Sequence, residues 1–141
     1  MEKYQLRKTK QNFKSIITVI IPTIGRSSIS RSIESILNQY CSDKLSLLIV
    51  DNSKDSGEFI KNLIKEKKVS KKVHSLKHIL PPKSSQLPAG ENFQRGINKV
   101  DTKYFCILGD YDILSPGWLD IVLQNIKFDI NIFGYCGNVH H

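Results

Sequence analysis

The stretch LGDYDILSPGWL, residues 108–119, decides the fold. It continues an apolar run over residues 104–108 that predicts a buried strand. Gly109 ends this strand, so the carboxylates of Asp110 and Asp112 fall on the turn that follows. A Ser-Pro pair later in the stretch predicts the N-cap and the first position of a helix. Strand, acidic turn and helix together predict an α/β protein, in which ligands bind at the carboxyl ends of the strands.

The two carboxylates of this turn have two interpretations. Side chains two residues apart on a strand point the same way, about 7 Å from each other, so Asp110 and Asp112 reach one cation only if the turn draws them together. Mg²⁺ takes one or two carboxylates and completes its shell with water and substrate phosphates. The pair therefore predicts a metal–diphosphate site. The alternative is two solvated acids in a polar turn, with Asp112 near a helix start, where the dipole favours negative charge.

Strand and helix patterns alternate along the rest of the chain. Apolar, β-branched runs predict strands at residues 16–21, 45–50, 73–79 and 104–108, and a further strand within residues 131–136. Between the strands, apolar residues with helical spacing predict helices whose inward faces carry Ile29, Ile33, Ile36 and Leu37; Phe59, Leu63 and Ile64; Phe93, Ile97 and Val100; and Leu119, Val122, Leu123 and Ile126. This order predicts a Rossmann-like three-layer α/β/α fold with a mainly parallel sheet.

The composition is that of one folded domain with a basic arm. The chain has 141 residues, of which 40% are hydrophobic, enough to bury a core. Residues 1–14 are predicted to be a flexible basic arm, and residues 15–141 the domain. The arm lacks the apolar segment of a secretory signal. The three cysteines are widely spaced and without metal-binding spacing, which favours a reducing compartment and predicts a cytoplasmic protein.

The formal net charge of +8 arises largely from lysines clustered within residues 3–14 and 61–77. These clusters are either solvated faces or a surface for an anionic partner, such as an acidic ligand or the inner face of a membrane, which would be a peripheral contact. No zinc finger, recognition helix or aromatic RNA-binding strand accompanies them, so nucleic acid is not an expected partner.

The turn after the first predicted strand is not a glycine-rich phosphate loop, because residues 22–27 hold a single glycine. This disfavours a dinucleotide oxidoreductase. The remaining way to neutralise phosphate charge is a divalent cation bound by the Asp-x-Asp motif. Asp51, at the end of the second strand, either accepts hydrogen bonds from a base or ribose or bonds the backbone of its own turn. Arg26 and Arg95 either pair with phosphate or are ordinary surface arginines.

Five segments, in order, resemble motifs of the family 2 glycosyltransferases, which have the GT-A fold. They are ITVIIPT (17–23), ISRSIESILNQ (29–39), LIVDNS (48–53), ENFQRGI (91–97) and GDYDILSPGWL (109–119). The last is similar to the GDDDxLxPgwL form of the family's Asp-x-Asp motif. The resemblance covers about residues 16–137.

The resemblance implies a hexosyltransferase-like enzyme that takes a UDP-, GDP- or dTDP-sugar and a divalent cation, Mn²⁺ or Mg²⁺. It would transfer the sugar to a glycan, polysaccharide or lipid-linked acceptor. Two residues match positions that line the nucleoside pocket, and a third matches the aspartate that contacts the base: Pro22 and Thr23, and Asp51. The donor-binding set is completed by Asn92, Arg95 and Asp110, and the metal ligands are Asp110 and Asp112.

The sequence departs from the family pattern in two ways. Tyr111 stands where this form of the motif has a third aspartate. The family's acceptor half, with its catalytic base, lies beyond the point where the 141 residues end. We therefore expect a GT-A-type fold truncated at its C-terminus, in which residues 15–141 bind the nucleotide sugar and the base is unknown. The alternative is a non-catalytic remnant that keeps the nucleotide-binding fold.

Overall fold

The computed structural model describes residues 15–83 and 85–128, with the side chains of the last two described residues left out. Its strands are β1 (Ile17–Thr23), β2 (Leu45–Asp51), β3 (Ser75–Ile79) and β4 (Tyr104–Ile107). Its α-helices are α1 (Ile29–Leu37), α2 (Glu58–Glu66), α3 (Ala89–Ile97) and α4 (Trp118–Phe128). The predicted arm, residues 1–14, and the strand predicted within residues 131–136 lie outside the described residues.

The strands form one parallel sheet in the order β3-β2-β1-β4. β-branched and leucine side chains fill both faces of the two central strands, and every residue of β1 and β2 is buried. The register places Thr23 opposite Asp51, so the carboxyl ends of β1 and β2 coincide. The predicted α/β fold with a mainly parallel sheet is confirmed.

Helices cover the sheet on its two faces, which gives the three predicted layers. Alternate residues of a strand point to opposite faces. On one face, Val19 and Ile21 belong to a core cluster that also takes in buried residues of α1, α2 and α4. On the other face, Ile20 packs with residues from the end of α3 and the segment after it, Ile97 and Val100.

The prediction that the strand over residues 104–108 is buried is only half right. Tyr104 and Cys106 pack against the core, whereas Phe105 and Ile107 are 46% and 44% exposed. The reason is position, because β4 is the last strand of the described sheet. Helix α3 packs mainly on β2 and β1 rather than on β4.

Two aromatic residues were wrongly placed on inward helix faces. Phe59 and Phe93 are 36% and 39% exposed, and Ile60 is buried in α2 instead. In α2 the residues Ile60 and Leu63 already form the inward face, which leaves Phe59 at its margin.

The start of α4 was also predicted too early, since the helix begins at Trp118 after a separate turn.

Candidate functional site

The carboxyl ends of the neighbouring strands β2, β1 and β4 carry polar side chains at one edge of the sheet. The hydroxyl of Thr23, the last residue of β1, donates a 2.8 Å hydrogen bond to Oδ2 of Asp110, just after β4. Thr23 and Asp110 are each 3% exposed. The same threonine oxygen accepts a 3.0 Å hydrogen bond from the backbone N–H of Gly25. Two of the predicted donor-binding residues are therefore in direct contact.

The turn after β1 lies against the turn after β2. Gly25 has a φ of +87°, which favours glycine, and a Cβ built there would lie 2.9 Å from the Cβ of Ser53. Pro22, the neighbour of Thr23, is buried and stands opposite Val50 in the register. Pro22 therefore lies within the sheet, one residue before the polar edge.

Arg26 holds the second oxygen of the Asp110 carboxylate. Its Nη1 lies 3.1 Å from Oδ1, and its guanidinium carbon lies 5.8 Å from the centre of the Tyr111 ring, a cation–π contact. The arginine side chain is 52% exposed, whereas that of the aspartate is 4% exposed. Arg26 is therefore attached to the acidic turn, and both interpretations of this residue, phosphate pairing and surface arginine, stay open.

Asp112, the second acid of the motif, is half-buried and its backbone N–H donates to the carbonyl of Gly109 at 3.1 Å. A Cβ at Gly109 would lie 2.6 Å from Oδ2 of Asp112, so a larger residue there would displace that carboxylate. The fold thus brings the Asp112 carboxylate back over the end of β4. Residue 109 separates strand from acids, as the sequence predicted.

The carboxylates of the acidic turn can hold a metal ion only if phosphate oxygens complete its coordination shell. Among residues 15–83 and 85–128, no group of three or more His, Cys, Asp or Glu side chains could hold a metal ion. Asp110 and Asp112 supply two carboxylates, which is the number that Mg²⁺ takes when substrate phosphates complete its shell. A metal bound at this turn would therefore depend on the ligand.

Asp51, the last residue of β2, is fully buried. Its Oδ1 accepts a 2.9 Å hydrogen bond from the backbone N–H of Ser53, which is the turn interaction expected of an aspartate in this position. Its Oδ2 lies 2.9 Å from Nε2 of His78 on β3. Of the two interpretations of Asp51, the structure shows the bond to the backbone of its own turn. The other carboxylate oxygen is engaged by His78.

His78 is a residue that sequence reasoning missed. It stands opposite Ile49 in the β2–β3 register, two residues before Asp51. Only the pairing of β2 with β3 brings these side chains together, because 27 residues separate them along the chain. A histidine near the end of a predicted strand was the only signal, and on its own it does not identify a partner.

Asn92 and Arg95 of α3 fasten the end of β2. The amide of Asn92 donates to the carbonyl of Val50 at 3.1 Å, and Nη1 of Arg95 donates to the carbonyl of Asp51 at 3.2 Å. Nη2 of Arg95 also donates to the carbonyl of Leu80. The guanidinium of Arg95 thus contacts the backbone after β2 and β3, a role that neither the phosphate nor the surface interpretation anticipated.

Asn52 holds the segment that follows β3. Its side-chain amide exchanges two 2.9 Å hydrogen bonds with the backbone of Leu87, and Gln86 donates to its carbonyl at 2.8 Å. Between this segment and the turn after β2 lies an open cleft of about 440 Å³, lined in part by Lys54 and Lys83. The cleft is also lined by Ser53, two residues after the buried Asp51, and it carries two positive charges.

Comparison with protein families supports the resemblance seen in the motifs. The model of Glycosyl transferase family 2 matches residues 18–137. Comparison with curated proteins gives no match. Within the described residues, no helix has the length and apolar character needed to cross a bilayer.

Several solved structures share the fold. Residues 1–349 of S. aureus TarS align with a TM-score of 0.65 and 17% identity over 79% of this chain. The same fragment in complex with UDP aligns with a TM-score of 0.63 and 14% identity, and in complex with UDP-GlcNAc with 0.61 and 16%. This chain spans about a third of the length of that fragment, 32% for the first alignment.

Proposed function

The chain belongs to Glycosyl transferase family 2, and we propose that it binds a nucleoside diphosphate sugar at the edge where Thr23 contacts Asp110. That contact carries the proposal. It joins the end of β1 to the acidic turn after β4 across 87 residues of sequence. Ligands of open α/β sheets bind at this edge.

The site has two ends with different chemistry. We place the nucleoside end at Asp51, with Pro22 and Thr23 on the neighbouring strand β1. The cleft that Ser53 helps to line follows along the turn after β2. The diphosphate end is formed by the acidic turn of Asp110 and Asp112. Asn92 and Arg95 act on the nucleoside end by fixing the backbone of β2. Because two of the structural neighbours are complexes with UDP and UDP-GlcNAc, uridine is the nucleoside we favour over guanosine or thymidine.

A divalent cation, Mg²⁺ or Mn²⁺, would be held by Asp110 and Asp112 together with the phosphates of the donor. Such a cation neutralises charge that develops on a departing diphosphate. The protein's own part is to bury the Asp110 carboxylate and fix both of its oxygens, through Thr23 and Arg26. Transfer of a hexose to a glycan, polysaccharide or lipid-linked acceptor requires a base, and we assign none in residues 15–83 and 85–128.

Calorimetry with UDP-GlcNAc tests this proposal. We expect saturable binding in the presence of Mn²⁺ and a loss of most affinity in Asp110→Asn, because that variant removes a negative charge and keeps the shape of the side chain. The matched control is Asp120→Asn on α4, whose carboxylate accepts a hydrogen bond from the Cys41 thiol instead of binding Thr23 or Arg26. Absence of binding by the folded chain to UDP-, GDP- and dTDP-sugars would contradict the proposal.

A second candidate is a non-catalytic remnant that keeps nucleotide binding. The observation in its favour is that the carboxylates of Asp51 and Asp110 have both oxygens engaged by protein groups. Donor hydrolysis separates the two candidates, since release of free sugar from UDP-GlcNAc by this chain would exclude the remnant. Cytoplasmic location and contact with the inner face of the membrane stay predictions.

A further inference from the structure

We propose that Arg26 is a phosphate-binding cation built into the acidic turn, so that the diphosphate of the donor contacts a guanidinium of the protein itself. This inference rests on the proposed function and specifies which group meets the phosphates. The subsite consists of Arg26, the Asp110 carboxylate that anchors it and the Tyr111 ring that flanks it.

Electrostatics require a cation at this position. Asp110 is 3% exposed, and Asp112 follows two residues later. A diphosphate brought to two carboxylates meets like charge in a partly desolvated setting, where repulsion is stronger than in water. Arg26 is the one lysine or arginine of the described residues whose side chain forms an ion pair with either acid. Arginine is also the side chain best suited to bind phosphate in a bidentate way.

The guanidinium keeps donors for a ligand. Arginine carries five N–H donors in a planar fork that matches phosphate geometry. Within the described part of the chain, only Nη1 of Arg26 has a hydrogen-bond acceptor, namely Oδ1 of Asp110. The side chain is 52% exposed, so the other donors are accessible to a second anion. One guanidinium can thus bridge the buried carboxylate and a phosphate.

Tyr111 limits the positions that the guanidinium can take. The ring is 68% exposed, and the cation–π distance is 5.8 Å. With Asp110 on one side and the ring beside it, the arginine is ordered before the ligand arrives, which lowers the entropic cost of binding. Tyr111 stands between the two acids of the turn. It supplies no carboxylate there, and its ring instead contacts the Arg26 guanidinium.

Calorimetric titrations with UDP and NMR titrations with uridine, both in EDTA, test the inference. Wild type should bind UDP more tightly than uridine without any metal. Arg26→Gln should weaken UDP binding at least tenfold and leave uridine binding within twofold. Tyr111→Ala should weaken UDP binding by about twofold to fivefold, as expected for an exposed cation–π pair, whereas Tyr111→Phe keeps it. The matched control is Arg31→Gln, which changes an exposed arginine of α1 and should leave both affinities unchanged.

The possible failures are distinguishable. If wild type binds UDP in EDTA no more tightly than uridine, or if Arg26→Gln binds it equally well, the inference is overturned and nucleoside binding stands. If wild type binds UDP only when Mn²⁺ is added, the metal carries the phosphate charge and the inference is again overturned. If wild type binds neither UDP nor uridine under any of these conditions, the proposed function itself fails. Circular dichroism establishes that each variant is folded.

Discussion

The hydroxyl of Thr23 serves Asp110 and Gly25 at once, as donor to the carboxylate at 2.8 Å and acceptor from the backbone N–H at 3.0 Å. One oxygen atom thereby fixes both the acidic turn after β4 and the tight turn after β1. The contact explains how two loops far apart in sequence form one site, and how the buried Asp110 side chain obtains a hydrogen-bond partner.

Thr23→Val should destabilise the chain by about 1–3 kcal/mol, because it leaves a buried carboxylate oxygen and an N–H without their partner. Thr23→Ser keeps the hydroxyl and is the matched control, with a smaller cost from the lost methyl group. Urea denaturation monitored by tryptophan fluorescence gives both free energies of unfolding. Equal stability of the valine variant and wild type would contradict the role assigned to this hydroxyl.

The sequence predicted the sheet and the edge where the polar residues gather, because both depend on local patterns. Apolar β-branched runs identify β1 and β2 whatever the rest of the chain does. The acidic turn after β4 is likewise marked by a glycine, two aspartates and a Ser-Pro pair within a few residues. Since parallel strands end at the same edge, the placement of Asp51, Thr23 and Asp110 at one edge follows from the strand assignment.

The partners of the individual side chains could not be predicted, because they depend on strand order and on the close packing of loops. His78 meets Asp51 only because β3 lies beside β2. Arg95 could not be told from a surface arginine until the backbone carbonyls around it were placed. The exposure of Phe105 similarly depends on which helix covers β4. The residues of β4 alone do not determine that.

Asp55 should make the stability of the chain pH-dependent. Its carboxylate accepts hydrogen bonds from the Ser53 hydroxyl and from the backbone N–H groups of Phe59 and Gly57, and these bonds lower its pKa below the usual 3.8. A lowered pKa in the folded state stabilises the fold above the unfolded-state pKa, and this stabilisation is lost as the pH falls through the folded-state value.

Asp55→Ala should therefore cost about 1 kcal/mol at pH 7, as for loss of a helix cap. The difference from wild type should shrink as the pH falls below 3.8. Urea denaturation at pH 7, 5 and 3 measures it, with Asp43→Ala at an exposed site as the control. A difference that grows on acidification would have the wrong sign for this account.

The two described cysteines should be unreactive in the native state. Burial, a hydrogen bond to Asp120 and the charge of that residue raise the pKa of Cys41 to about 11, and burial raises that of Cys106 to about 12. Because the thiolate is the reactive form, iodoacetamide at pH 8 should modify neither residue in native protein and both in urea. Peptide mass spectrometry locates the modified sites. Rapid native labelling of Cys41 would show that its neighbourhood opens readily.

Helix α3 offers a matched pair of glycines. A Cβ at Gly96 would lie 2.7 Å from Cγ2 of Val50 and 2.9 Å from Cγ2 of Ile20, so this glycine sets how closely the helix approaches the sheet. A Cβ at Gly90, in the first turn of the same helix, meets nothing within 4 Å. The two sites share a helix and differ in what surrounds them.

Gly96→Ala should destabilise the chain by about 1–3 kcal/mol, since the helix must move away from two β-branched side chains that are themselves held in the sheet. Gly90→Ala should be neutral or stabilise by up to about 1 kcal/mol, because alanine has the better helix propensity. Because Asn92 and Arg95 hold the end of β2 from this helix, Gly96→Ala should also weaken UDP binding, whereas Gly90→Ala should not. Thermal unfolding and UDP titration of both variants measure the two effects. A stable Gly96→Ala variant with wild-type affinity would show that α3 can shift on the sheet without disturbing the site.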